Sequence, residues 1–562
     1  MTIQQMLLGL GGAGKVGWIM TLTHDGHANA DWKHSNRQSG PNTQSKNCYK
    51  GTTGDDSNGI WFTLGSEQSP LTWNGSVDHI NGCSNVFKID ADGGILANCA
   101  IGGGGWNYEK GALFVNTNEK MIVQRNYHAA CLSVSNNTFS HHWTVGNGAP
   151  AQGHSNAPHP YPNENTGYSS QFDVTWMWTD TDKLWYGMNN DQQQNGQYYG
   201  DTGFIPVNVS TGAWDTNYSS GGNYVANYHA LGVRCAQRVN NRMYVLIPGW
   251  RMYRNQYQAM ALFRWDDDGT TYSNAFTDPT NDLEYKKMFT YAAGNWSYSN
   301  TTYDSEYLHM WVHDTGSDEK IYLGGQATKY SNENSTSCAG SLNTQERNCV
   351  MKMSSGTTNT ADWLSNLDGG SSSNLMDSAN FDSHSYGGVK SVRPDGNGNC
   401  ISVHLARNHV VSNNVEIIIA KWNDTTGALI STYGIACITT NEKFKEDAFC
   451  EQFGCLTTDK AVYMVAWTEG HKPVIMKLPH DIGSLAGNHT VGGLTFTIGA
   501  ATGVSQGSLT KNRKGWVDDG YNLLTNTSYD NSQDNLLSEG GNNGYGFSDG
   551  HHDGTTRSHI EI

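Results

Sequence analysis

The sequence predicts an all-β fold made from one small antiparallel sheet repeated along the chain, and three observations carry that prediction. First, an alternating apolar run ending in a short polar turn recurs eight times. The copies read WIMTLTHDG from Trp18, VFKIDADGG from Val86, ACLSVSNNT from Ala130, FIPVNVSTG from Phe204, ALFRWDDDG from Ala261, CVMKMSSG from Cys349, IIAKWNDTTG from Ile418 and VIMKLPHDIG from Val474. From Gly26 to Gly483 these markers recur about every 65 residues, which suits a four-stranded unit with long loops. Second, strand pairs of different texture lie between the markers, such as SVRPDGNGNCISVHLA from Ser391 and CLTTDKAVYMVAWT from Cys455. Third, charged residues make up only 15% of the chain, whereas 65 Gly, 18 Trp and 28 Tyr give a turn-rich, aromatic composition too apolar for disorder.

Taken in chain order, Met1 to Lys15 (residues 1–15) read as an apolar anchor peptide, with Met6, Leu7, Leu8 and Leu10 as its anchoring side chains and a glycine hinge behind them. Residues 16–511 form the repeat. One strand pair followed by one marked hairpin makes four antiparallel strands, the content of a β-propeller blade. Markers two to eight each have a pair upstream, including ALFVNTNEKMIVQ from Ala112, VTWMWTDTDKLWYGM from Val174 and CAQRVNNRMYVLIP from Cys235. Too few residues precede the first marker, so its missing strands are expected from the C-terminal side, from LTFTIGA at Leu494 and the segment after Gly503. Eight blades are expected, with seven as the alternative. Residues 512–562 are polar and read as a C-terminal extension packed on the propeller or on a partner.

Several motifs resemble chemistry and are better explained as structure. Gly9 to Lys15 satisfies GxGxxG and nearly a P-loop, but Val16 replaces the magnesium-binding hydroxyl and a strand pattern follows where a helix is needed. The acidic turns Asp90/Asp92 and Asp266 to Asp268 are able to ligate calcium, although neither has EF-hand spacing and both residue types favour turns. No other cofactor is indicated. Trp176, Trp178 and Trp185 beside Asp180 and Asp182 form the candidate glycan site, since indole rings stack on sugar faces and carboxylates bind hydroxyls. The same alternation also suits a strand packed between sheets. The His141-His142 and His551-His552 pairs lack a metal-binding frame. No catalytic constellation stands out. Eleven cysteines include no CxxC; Cys450 with Cys455, or Cys338 with Cys349, are the pairs able to bridge in an oxidising medium.

A net charge of −17 opposes nucleic acid and anionic lipid as partners. No run approaches the roughly 18 apolar residues of a membrane helix, and no secretory signal is recognisable at the N-terminus, so membrane insertion is not expected.

The hairpin signature apolar-Lys-apolar-(Asp/Asn/Ser)-x-x-Gly, seen in FKIDADGG, MKMSSG and AKWNDTTG, resembles the β-propeller repeats of virion structural proteins from marine tailed phages, including cyanophages. The opening MTIQQMLLGLGGAG is similar to the apolar start of their tail- and fibre-associated proteins. The resemblance implies a virion location on the tail or outer surface, after assembly in the host cytoplasm. It also implies partners among other virion proteins through the N-terminus, homo-oligomerisation in the virion and contact with host surface polysaccharide. It carries no catalytic residues. The expected function is therefore a non-enzymatic tail or fibre propeller, with a glycoside hydrolase or depolymerase, and a capsid decoration protein without a ligand, as the alternatives.

Overall fold

The computed structural model describes the strands named below. Its longest continuous stretches are residues 83–102, 307–327, 389–444 and 454–507 without 459 and 471, and the shorter stretches include 16–24 and 555–562. Among the described residues there is no α-helix, and every strand pairing is antiparallel.

Seven sheets of four or more strands account for nearly all of this structure. Sheet 1 holds Cys48–Lys50, Ile60–Ser66, Cys83–Ile89 and Ile95–Gly102, and sheet 2 holds Leu113–Val115, Lys120–Arg125, His128–Ser135 and Thr138–Gly146. Thr175–Trp178, Lys183–Gln194, Gln197–Asn208 and Asn223–Asn227 form sheet 3. Sheet 4 is Cys235–Val239, Arg242–Gly249, Ala259–Asp266 and Leu283–Thr290; sheet 5 is Tyr307–Asp314, Glu319–Ala327, Arg347–Ser354 and Ala361–Asp368. Val389–Pro394, Asn399–Arg407, Val415–Asn423 and Leu429–Cys437 make sheet 6. Sheet 7 runs Gly454–Thr457, Ala461–Trp467, Pro473–Pro479 and then Trp18–His24, the first described strand of the chain.

That last pairing explains why eight markers yield seven sheets. The first marker has no hairpin partner of its own: Trp18–His24 lies between Pro473–Pro479 and the C-terminal strand Thr555–Glu561. The first and eighth markers therefore supply the fourth and third strands of one sheet. The segment expected to complete the first unit goes elsewhere. Leu494–Ala500 pairs with Leu429–Cys437 on sheet 6, with Gly487–Val491 beyond it. After Pro479 a single 3₁₀ turn, Ile482–Leu485, sends the chain back, and Leu494, Phe496 and Ile498 bury their side chains in the adjoining core.

Sheet 6 shows why its strands read as almost continuous apolar runs. In Val415–Asn423, Ile417 and Ile419 join a cluster with Val462, Met464, Val474, Met476 and Ile19 of sheet 7. Their neighbours Ile418, Ala420 and Trp422 face the other way, onto Tyr322, Val350 and Trp363 of sheet 5. A sheet packed on both faces needs apolar residues at both parities of the pleat. Each of these isoleucines contributes about 2 kcal/mol by area removed from water. The first strands of consecutive sheets touch, from sheet 3 through 4, 5, 6 and 7 to sheet 1 and on to sheet 2.

The tail begins adding strands earlier than residue 512. Ser505–Gln506 joins sheet 5, Trp516–Val517 sheet 4, Phe547–Asp549 sheet 1 and Thr555–Glu561 sheet 7. Residues 1–15, with Met6, Leu7, Leu8 and Leu10, lie outside the described residues.

Candidate functional site

The lysine of the repeat signature has a definite task. Lys352 stands in register between Tyr322 and Trp363, and Lys477 between Tyr463 and Trp18. In both sheets this aromatic–cation–aromatic row reaches the third-to-fourth-strand turn of another sheet, at the residue three after that sheet's own signature lysine. Lys352 Nζ and Trp363 Nε1 donate to the Asp424 carbonyl at 2.9 and 2.8 Å. Lys477 Nζ and Trp18 Nε1 donate to the Ala91 carbonyl at 2.8 and 3.0 Å. Where the turn residue is Asp424, its carboxylate adds a 2.6 Å ion pair to Lys352 and accepts the Tyr322 hydroxyl at 2.8 Å. Burial, then the Asp424 charge, push the Tyr322 phenol far above its ordinary range. Sheet 4 reaches sheet 5 similarly, with Tyr244 OH and Arg242 Nη1 on Glu319 Oε2 at 2.5 and 2.8 Å. At Lys352 and Lys477 the signature is a joint between sheets.

A second set of joints links the first strands. Gln237 donates to the Val312 carbonyl and accepts from its amide, at 2.8 and 2.7 Å, replacing a strand partner with one side chain. His309 Nδ1 accepts from the Val392 amide at 3.1 Å, and the Ser391 and Thr457 hydroxyls meet at 2.7 Å. Arg393 lies 4.1 Å over the Trp311 ring and donates to the Thr457 carbonyl. Burial and the Arg393 charge beside it lower the pKa of His313.

These joints gather at the end of the sheets that carries short turns, such as 90–94, 315–318, 395–398 and 424–428. Longer connections leave the opposite end: 67–82, 147–174, 328–346 and 369–388. The exceptions are 209–222 and 267–282, which join the third and fourth strands of sheets 3 and 4 and so leave from the short-turn end. The small hairpin Leu71–Trp73 with Val77–His79 stands within the first of the long connections.

At this loop end, sheets 6 and 7 present a fixed platform, which is the candidate site. Buried Glu416 accepts the amides of His409, Val410 and Val411 at 2.6 to 2.9 Å, which shapes the 408–414 connection around it. Burial raises its pKa while those amides pull it down. His409 is tied to Thr502 through Nδ1 and through its own carbonyl. Glu442 accepts from Thr468 Oγ1 and the Gly470 amide and pairs with Lys472 at 2.7 Å. Lys443 Nζ reaches the Asn413 carbonyl at 2.7 Å, which ties the 438–444 and 408–414 connections together. Both carboxylates are committed to shaping loops.

One pair does resemble a nucleophile and its base. Ser402 Oγ lies 2.6 Å from His404 Nε2 and accepts the Trp422 indole N–H at 2.7 Å. Both residues are wholly buried between sheets 5 and 6, and burial drives the His404 pKa down to about 3. A substrate has no route to them. Sequence reading missed this pair because S-x-H inside a strand carries no signal of its own.

Of the predicted glycan residues, Trp176 pairs with Tyr186, Trp178 with Leu184 and Trp185 with Met177 on the first two strands of sheet 3, and their side chains lie outside the described ones. Asp180 and Asp182 lie outside the described residues, in the connection between the first and second strands of sheet 3. Asp90 Oδ1 accepts the amides of Asp92 and Gly94 at 2.9 and 2.6 Å, which is the turn-forming role. Among the described residues no group of three His, Cys, Asp or Glu side chains could hold a metal ion. Cys455 is a free thiol whose pKa burial pushes up, and it is not bridged to Cys450. The residues of the Cys338–Cys349 pairing lie outside the described side chains.

No protein-family model matches the chain, and no curated protein matches its sequence. Among solved structures it is similar to the polysaccharide lyase Uly1, with a TM-score of 0.41 and 10% identity over 82% of this chain and 94% of that one. It is also similar to the extracellular domains 1–2 of Drosophila Semaphorin 1b, with a TM-score of 0.33 and 9% identity over 84% and 89%. A GH43_1 enzyme from Xanthomonas citri complexed with xylose gives 0.24 and 10% over 54% and 86%. Likenesses this loose assign no function.

Proposed function

We propose that this chain is a seven-bladed β-propeller that serves as a non-enzymatic virion component of a tailed phage and contacts surface polysaccharide through its loop end. The propeller reading is supported by seven sheets whose first strands touch in sequence order, and by Trp18–His24 completing the sheet begun at Gly454. The binding role rests on one observation: joints concentrate at the short-turn end, which leaves most of the longer connections and the Glu416–Glu442 platform at the other end. Loops carried on a rigid scaffold are where specificity is built. Many weak sugar contacts become firm attachment when copies are arrayed. The virion placement rests on the likeness of the lysine signature to phage propeller repeats.

The test is to present the purified chain to capsular and lipopolysaccharide glycans of candidate hosts while following both binding and chain length. Retention on a subset of glycans with no change in their length supports the proposal. Retention on none of them removes the binding role. Shortened glycan would replace it with the depolymerase alternative. Antibody labelling of particles by electron microscopy tests the virion placement separately, and label on tail or outer surface is the expected result.

A further inference from the structure

Two turns of the molecule share one hydrogen-bond plan and differ at a single bond. In 90–94 and in 395–399 the amide of the leading aspartate donates to the carbonyl of Gly94 or Asn399. In both, the aspartate Oδ1 accepts the amides two and four residues further on. In the first turn the Gly93 amide donates back to the Asp90 carbonyl at 3.2 Å. In the second, the Asp395 carbonyl is taken instead by Asn397 Nδ2, also at 3.2 Å. The Gly398 amide, which corresponds to that of Gly93, has no hydrogen-bond acceptor among the described residues.

Asn397 and Gly398 are exposed, and they form the one Asn-Gly pair among the described residues. An asparagine ahead of glycine is chemically labile. The next amide nitrogen can close a five-membered ring on the carboxamide carbon, and glycine has no Cβ to hinder it. An exposed amide that no carbonyl holds can give its proton to a base in solution. Asp395–Gly396 has the same spacing, but the Asp395 carboxylate is buried and bound by three donors.

The geometry points to Asn397 as a site of self-modification whose conversion loosens the joint between sheets 5 and 6. Gly398 N gives its proton to a solvent base and bonds to Asn397 Cγ. The Cγ–Nδ2 bond breaks, and Nδ2 takes up a proton from solvent and leaves as ammonia. Water then opens the cyclic imide at either carbonyl, which gives aspartate or isoaspartate. Neither product can donate to the Asp395 carbonyl as Nδ2 does, and both set a second carboxylate beside Asp395, where like charges repel. The isoaspartate form also lengthens the backbone by one carbon. The Gly398 carbonyl accepts the Asp424 amide at 3.0 Å. Asp424 in turn receives Lys352, Tyr322 and Trp363 from sheet 5. The turn therefore stands directly behind that joint. The proposal is independent of any glycan ligand.

Ageing the full chain in mildly alkaline buffer made with heavy-oxygen water, followed by peptide mass spectrometry, tests it. Asn397 is expected to take up heavy oxygen and to appear as two isomeric acids, while Asn399 keeps its amide. In the aged protein the Asp424 amide should exchange with deuterium about fivefold faster, as expected for the loss of one net hydrogen bond. Asn397→Gln, whose ring closure is one atom larger, should show no such change over the same period. An amide retained at Asn397, or lost only from the urea-unfolded chain, would overturn the site. Conversion with unaltered exchange at Asp424 would overturn its link to the joint, as would equal acceleration in Asn397→Gln.

Discussion

Lys352 and Lys421 occupy the same place in the repeat signature and do different work. Lys352 is held by Asp424 and flanked by Tyr322 and Trp363, whereas Lys421 stands between Ile401 and Ser431 and its side chain makes no hydrogen bond or ion pair among the described residues. Replacing Lys352 with Met should cost about 2 kcal/mol, because Asp424 is left half-buried with less than its full set of partners. Lys421→Met should stay within about 0.5 kcal/mol, as surface changes do. Urea unfolding of both variants checks the contrast. The lysine was legible in the sequence as a recurring letter. Its aromatic flanks were not, because Tyr322, Lys352 and Trp363 come together only once strand register is known.

His404 gives a pH dependence with a fixed sign. Its pKa falls on folding from the ordinary 6.5 to about 3, so the unfolded chain takes up the proton first. Stability from this group is therefore complete above pH 6.5 and is lost as pH falls toward 3. Thermal melts at about pH 7.5 and pH 5 should show a lower Tm in acid, and His404→Gln should narrow the gap. Part of the gap will remain, since burial also lowers the pKa of His480.

The hairpin is the element the sequence announces best, for a physical reason. Alternation of period two and a turn glycine are both local, and pairs such as Val415–Asn423 with Leu429–Cys437 formed where the pattern placed them. Gly427 closes that hairpin at φ +70°, and a Cβ there would lie 2.8 Å from both Ser365 Oγ and the Trp363 ring. Gly427→Ala should cost about 2–4 kcal/mol, combining backbone strain with the clash. Gly316→Ala, at φ +82° but facing open space, should cost only about 1 kcal/mol. Chemical denaturation of the two variants separates strain from packing. Pairing across distant sequence was much less legible. Leu494–Ala500 has the right alternation for any sheet edge, and only the turn at Ile482–Leu485 decides which edge it meets. Strands of two or three residues, such as Trp516–Val517, are shorter than any periodicity can reveal.

At the scale of the whole molecule, the count of units hinged on a contact spanning most of the chain. Markers two to seven open hairpins, whereas the first and eighth pair with each other, and nothing local to Trp18 or to Val474 says that the two runs are neighbours in one sheet. A chain lacking residues 1–24 should leave Pro473–Pro479 as an unpaired apolar edge. It is expected to elute as aggregate in size-exclusion chromatography while the full chain elutes as a discrete species. A discrete, monodisperse truncated chain would mean that Trp18–His24 is dispensable. The candidate platform was the least legible feature. Glu416 and Glu442 look like any surface carboxylates until the loops they organise fold around them.

The pairing of Trp18–His24 with Pro473–Pro479 also sets a timetable for the newborn polypeptide. Ile19 and Met20, both completely buried in the folded chain, leave the ribosome some 450 residues before the strand they pair with. At roughly 5–20 residues per second, that is about 20 to 90 seconds with apolar side chains in water. Throughout that interval the nascent chain offers a holdase a binding segment at Trp18–His24, and the need for that protection ends only when Pro473–Pro479 has emerged.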